Sequence, residues 1–230
     1  MTERTPVVVC WSGGKDSCLA LQRTLARPDL RVEALLTAVT ADFDRISMHG
    51  VRRELLEEQA SVLGLPLRQV MISKGATNDE YEAKMGEALA EYRTRGITKV
   101  VFGDLFLEDI RVYRERLLAR QGMRGLYPLW GLDTTALIHD FIDQGFRAAL
   151  VCADPAKLSP NFAGRLIDHA LLADLPANVD PCGENGEFHT FVFDGPIFKA
   201  PVRFSFGEKV CRDSFWFCDL IPGRVEDMAC

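Results

Sequence analysis

Ser12-Gly13-Gly14-Lys15-Asp16-Ser17 joins an apolar run, Val7-Val8-Val9-Cys10-Trp11, to residues at helical spacing, Leu19, Leu21 and Leu25. A strand that ends in Ser-Gly-Gly and reopens as a helix presents successive backbone N–H groups and the positive end of the helix dipole to whatever lies above it. Anions belong there. Gly13 and Gly14 let the backbone approach phosphate oxygens, Ser12 and Ser17 offer hydroxyl donors, and Lys15 brings a mobile positive charge. The order of residues differs from the Walker pattern, so a kinase or GTPase reading loses weight. Asp16 would repel a phosphate unless a divalent cation lies between them or its side chain caps backbone donors, and Mg2+ is the simpler reconciliation.

A second chemically loaded stretch is Gly183-Glu184-Asn185-Gly186-Glu187-Phe188-His189-Thr190, continuing to Asp194-Gly195-Pro196. Glycines permit a tight loop here, and carboxylates beside a histidine can hold a cationic amine or a metal. A hairpin turn with solvated carboxylates is an equal reading. Gly103-Asp104 follows the apolar run Lys99-Val100-Val101-Phe102, and His49 follows Ser47-Met48, where it either lines a nucleotide pocket or sits in an exposed loop. Arg111, Arg114 and Arg116 form either a basic face near Asp104 or a solvated helix face.

The elements that must position these residues alternate. Strands over Val7–Trp11, Val32–Val39, Leu67–Ile72 and Lys99–Phe102 are separated by helices over Lys15–Ala26, Val51–Leu63 and Asn78–Arg95, the last with Asn78 as N-cap. Such alternation predicts a doubly wound, mostly parallel α/β sheet whose ligands bind beyond the carboxyl ends of the strands. Both Ser12-Gly13-Gly14 and Gly103-Asp104 fall at such ends. Further helices are expected over Ile110–Gln121, Thr134–Gln144 and Asn161–Leu172, with a strand over Phe146–Cys152. From Pro181 the texture turns β-rich, with strands over Phe188–Phe193, Pro201–Phe206 and Phe215–Leu220. The expected division is a nucleotide-binding domain over 1–130 and a smaller C-terminal α+β lobe over 131–230 that binds the substrate.

A formal net charge of -6 argues against a dedicated nucleic-acid binder, which needs a basic face. No apolar run approaches the roughly 20 residues that cross a bilayer, and the first residues lack the layout of a signal peptide, so a cytoplasmic location without membrane attachment is expected. Seven cysteines without a CxxC pair are a poor disulfide framework and read as buried thiols. The Phe-rich tail, Phe204, Phe206, Phe215 and Phe217, reads as core or as the interface of a homo-oligomer.

Ser12 to Ser17 resembles the S-G-G-x-D-S loop of the N-type ATP pyrophosphatase superfamily. Together with Gly183 to Thr190 it resembles the diphthine-ammonia ligase family, an adenine nucleotide alpha hydrolase-like group whose C-terminal lobe carries G-E-x-G-E-[FY]-x-T followed by an aspartate and a proline. Ser47-Met48-His49, Phe102-Gly103-Asp104, Arg111 to Arg116, Pro128-Leu129-Trp130 and Gly164-Arg165 agree with it as well. The resemblance implies a cytoplasmic ligase of diphthamide biosynthesis: ATP adenylates a carboxylate, pyrophosphate leaves, and ammonia displaces AMP. It implies ATP bound by Ser12, Gly13, Gly14, Lys15, Asp16, Ser17, His49, Gly103 and Asp104, with Mg2+ on Asp16 and Asp104. Lys15 would offset charge on the pyrophosphate, Glu184 and Glu187 would hold ammonia or a trimethylammonium group, and His189 would move a proton. The acceptor would be diphthine on translation elongation factor 2 where the source organism makes it. A tRNA-modifying ATP pyrophosphatase and a nucleotide-binding regulator without turnover are the alternatives.

Overall fold

Val7, Val8 and Val9 are wholly buried, as a strand covered on both faces requires. They form β1 (Thr5–Cys10) in a computed structural model that describes residues 4–42, 44–46, 50–212 and 214–223. His49 and the neighbouring Ser47-Met48 lie outside the described residues. β1 pairs in parallel with β2 (Leu30–Thr40) on one side and with β5 (Lys99–Val101) on the other. β2 pairs in parallel with β4 (Leu67–Ile72), and β5 with β6 (Arg124–Leu126). The short β3 (Arg45–Ile46) adds antiparallel to Val39 and Thr40, beyond the stretch of β2 that β1 covers.

The parallel strands therefore run β4-β2-β1-β5-β6. The expected doubly wound sheet is present, and its order reverses between β1 and β5. In an open α/β sheet that reversal opens a crevice at the carboxyl ends, because the connections on either side leave in opposite directions. α1 (Lys15–Leu25) leaves β1 there, and the segment before α4 (Glu108–Arg120) leaves β5 there. α3 (Asn78–Thr94) and α4 bury Met85, Leu89, Tyr92, Leu117 and Leu118 against Val8, Leu36, Val70 and Val100 of the sheet. The α3 N-cap is Thr77 rather than Asn78, since the Thr77 side chain accepts from Glu80 N at 3.2 Å.

These elements belong to the first of two compact units, which comprises the chain to Ser12, Asp16 into β3, and Leu65–Leu132. The second contains Gly13–Lys15, α2 (Arg53–Leu63) and the chain from Asp133. Its sheet is antiparallel: β8 (Phe188–Asp194), β7 (Arg147–Ala153), β10 (Phe215–Pro222) and β9 (Phe204–Arg212), in that spatial order. α5 (Thr134–Asp143) precedes β7, and α6 (His169–Asp174) follows it.

The helix expected over Asn161–Leu172 is instead a 3-10 turn, Pro160–Phe162, and the short α6. Gly164 breaks the helix at φ +85°. The next residues then add to β7: Leu150 N donates to Arg165 O, and Ile167 N to Ala148 O. Partners on a strand outcompeted helical spacing. The strand expected over Pro201–Phe206 also shifts, to Phe204–Arg212, as half of a hairpin with β10. Of the described cysteines, Cys18, Cys152, Cys182 and Cys218 are buried thiols as expected, while Cys10 is half-buried and Cys211 is exposed. No helix among the described residues is long and apolar enough to cross a membrane.

Candidate active site

In the first unit the carboxyl end of β1 carries Ser12, whose hydroxyl donates to Ser17 Oγ at 3.2 Å across the opening turn of α1. Asp16 occupies that first turn. Gly103 lies so close to it that an added Cβ would stand 2.7 Å from the Asp16 carbonyl carbon and 2.9 Å from Ser17 N. Only glycine lets the exit of β5 lie against the phosphate loop.

Asp104, one residue further, is gripped by Arg114: Nε lies 2.7 Å from Oδ2, and Nη2 donates to Oδ1 at 3.0 Å. The guanidinium also stacks 4.6 Å from the Phe102 ring centroid. Burial works against its charge, and the Asp104 carboxylate outweighs that, so the guanidinium stays charged. Burial pushes the nearby Cys10 thiol up to about 12, with Arg114 pulling the other way, so Cys10 is not a nucleophile at neutral pH.

In the second unit, Gly13–Lys15 meets the signature strand. β8 is an edge strand, and its outward backbone groups need partners. Val192 N donates to Gly13 O at 2.9 Å. The Gln59 side-chain amide from α2 donates to both Val192 O at 2.6 Å and Gly13 O at 3.0 Å. Lys15 N donates to Thr190 Oγ1 at 3.0 Å. Gly13 is left-handed at φ +76°, and a Cβ there would lie 2.8 Å from Gln59 Oε1. The middle of the phosphate loop is thus tied to the strand that carries Thr190 and Val192 through the Val192–Gly13 backbone bond, the Gln59 amide and the Thr190 hydroxyl. Lys15 is buried, with its Nζ 5.6 Å from the Phe188 ring centroid, the range of a cation–π contact.

The signature loop folds on Asp180. Its Oδ1 accepts from Cys182 N at 2.9 Å and Glu184 N at 3.3 Å, and its Oδ2 accepts from Thr134 Oγ1 at 2.7 Å. Asp180 N in turn donates to Glu187 Oε1 at 3.1 Å, and Asn185 Nδ2 donates to the same oxygen at 3.2 Å. Glu187 is 1% exposed, and its Oε2 has no hydrogen-bond partner among the described residues. The plain reading of a turn with solvated carboxylates fails at Glu187. An anionic oxygen buried without a partner is expensive unless a substrate or ion completes it.

Burial, and then the charge of Lys15, depress the His189 imidazole from 6.5 to about 4, so it is neutral at pH 7. The unfolded chain binds the proton more tightly, so stability on this account is complete above about pH 6.5 and is lost as the pH falls through about 4. At roughly 1.4 kcal/mol per unit the loss reaches about 3 kcal/mol. His189→Gln should flatten the acid limb of the melting-temperature profile between pH 4 and 6.5. An unchanged limb would show that His189 titrates normally.

Among the described residues no group of three or more His, Cys, Asp or Glu is placed to hold a metal ion. Of the two carboxylates expected to hold magnesium, Asp104 is paired with Arg114, and Asp16 in the first turn of α1 is the one that would meet such an ion together with a nucleotide's phosphates. Of the residues singled out in the sequence, Ser12, Asp16, Ser17, Gly103 and Asp104 lie in the first unit; Gly13, Gly14, Lys15, Glu184, Glu187 and His189 lie in the second. Gln59 and Asp180 were not legible as site residues. Asp180-Pro-Cys-Gly does carry a turn signal, whereas Gln59 looks like any polar residue of an amphipathic helix. His139 and His169, also in the second unit, stack on each other 5.2 Å apart, with His169 paired to Asp143.

A glycine-rich anion loop at the reversal point of a doubly wound sheet defines a nucleotide-binding α/β protein. Family models narrow this: the diphthamide synthase N-terminal domain matches residues 5–125 and the diphthamide synthase C-terminal domain matches 133–222. The chain belongs to the diphthamide synthase family, and its curated relatives are ligases that form a carbon–nitrogen bond. A Schizosaccharomyces pombe protein named diphthine–ammonia ligase is 27% identical over 94% of this chain, which spans only 39% of that protein's length. Proteins of the same name from Danio rerio and Homo sapiens are 28% and 24% identical, over 93% and 91% of this chain and 92% and 86% of their own lengths.

Proposed function

We propose that this chain uses ATP to activate a carboxylate as an acyl-adenylate, releasing pyrophosphate, and then joins ammonia to the carbonyl carbon with release of AMP. The observation that carries the proposal is the bonding of Gly13 and Lys15 to β8, which attaches the phosphate loop to the strand that begins in the acid-bearing signature. Backbone N–H groups at the start of α1 and the Lys15 ammonium stabilise the leaving pyrophosphate. Asp16 would hold a magnesium ion, which would supply further neutralisation of phosphate charge. Glu187 Oε2 receives the ammonia nitrogen and takes the proton that nitrogen loses as the amide forms. His189, neutral at pH 7, contributes hydrogen bonding rather than charge.

The names of the relatives favour diphthine, a modified histidine of translation elongation factor 2, as the acceptor. A diphthine-bearing peptide incubated with the protein, ATP, magnesium and ammonium should yield amide, AMP and pyrophosphate in equal amounts. Release of ADP and phosphate would overturn the mechanism.

A further inference from the structure

α4 carries Arg111 and Arg114 one turn apart, and both guanidinium groups lie on aromatic rings. Arg114 has its counter-ion in Asp104. Arg111 lies 4.6 Å from the Trp130 centroid and 5.2 Å from that of Tyr127, and no carboxylate among the described residues pairs with it. Tyr127 is itself stacked on Phe102 at 5.5 Å and meets Trp130 edge-on at 6.0 Å. Two similar cations thus share one aromatic platform and differ in having a counter-ion. Stacking fixes the plane of a guanidinium and leaves its in-plane N–H donors available, which suits the two oxygens of a carboxylate or phosphate.

The platform stands on the ligand-binding rim of the first unit. Phe102 N donates to Leu126 O at 2.9 Å, and Gly131 N to Leu105 O at 2.8 Å, joining the segments that leave the carboxyl ends of β5 and β6. Gly103, in the first of those segments, abuts Asp16 of the phosphate loop.

We propose that Arg111 is an oxyanion-docking residue, receiving either the acceptor's carboxylate or a phosphate of ATP. The carboxylate source rests on the amide-ligase reading above; the phosphate source does not.

Arg111→Met keeps a side chain long enough to cover the rings and removes the charge and the fork. Two measurements separate the sources: ATP affinity by calorimetry, and KM for the diphthine-bearing peptide at saturating ATP. A rise of about 10- to 100-fold in KM with ATP affinity unchanged assigns the carboxylate, and a similar loss of ATP affinity assigns a phosphate. Arg111→Lys, which keeps the charge without the planar fork, should give an intermediate loss and serves in place of the Met variant should that variant not fold. A folded variant with both quantities within about twofold of wild type overturns the proposal. Should the wild-type protein form no AMP with the peptide, the amide-ligase reading falls, and the ATP measurement alone decides the role of Arg111.

Discussion

Glu187→Gln should lose amide formation by about 10²- to 10⁴-fold, the range for removing a group that moves a proton in the transition state. ATP affinity should change by less than about threefold, because the hydrogen bonds that shape Gly13 and Lys15 come from Val192, Gln59 and Thr190. Stability should stay level or rise. The glutamine carbonyl oxygen can keep the bonds from Asp180 N and Asn185 Nδ2, and the substitution removes a negative charge from a side chain that is 1% exposed. Three measurements check this: AMP production, ATP binding by calorimetry and the melting temperature. Turnover within threefold of wild type would remove Glu187 from the chemistry. A large drop in melting temperature with proportionate loss of ATP binding would make the carboxylate a structural group instead.

The expected rise or constancy of stability is what separates a catalytic carboxylate from a scaffolding one. Asp180 has the opposite character. Both of its side-chain oxygens accept bonds, from Cys182 N, Glu184 N and Thr134 Oγ1, and its backbone N–H orients Glu187. A group with every partner supplied by the protein serves the fold, and a buried oxygen with none is held for something else.

Much of this was legible in the sequence because local signals agreed with each other. A wholly apolar run, a Ser-Gly-Gly turn and helical spacing all required a strand, an anion loop and a helix in that order, and β1 and α1 followed. The acidic signature was legible as a loop leading into a strand, since Gly183 and Gly186 both take positive φ, at +67° and +79°. What was not legible depended on distant partners. Nothing near Gly164 announces that residues 165–167 will bond to β7. The sequence offered Arg111, Arg114 and Arg116 as a basic face near Asp104, but which of the three would pair with it is set by the fold and not by spacing alone. Gln59 lies 46 residues from Gly13 and 133 from Val192, and no local pattern marks a side chain that satisfies carbonyl oxygens at such separations.

Gln59 therefore supplies the second large effect. Gln59→Leu removes a donor shared by Val192 O and Gly13 O; Gly13 O still accepts from Val192 N, but Val192 O is left on an edge strand without the bond it had. A buried acceptor stranded in this way costs about 1–3 kcal/mol, which for a chain of this size lowers the melting temperature by roughly 2–12 °C. ATP affinity should fall as well, by about tenfold or more, because the amide also holds the left-handed Gly13 against α2. Gln59→Glu sharpens the test. It keeps the shape of the side chain, which is wholly buried in the native protein, but turns an anionic acceptor toward two carbonyl oxygens. If the amide N–H group is the clamp, the glutamate variant must be worse than the leucine variant in both melting temperature and ATP affinity, even though leucine is the less similar residue. The reverse order would mean that Gln59 acts by filling space, leaving bonds such as those of Val192 and Thr190 to couple the phosphate loop to β8.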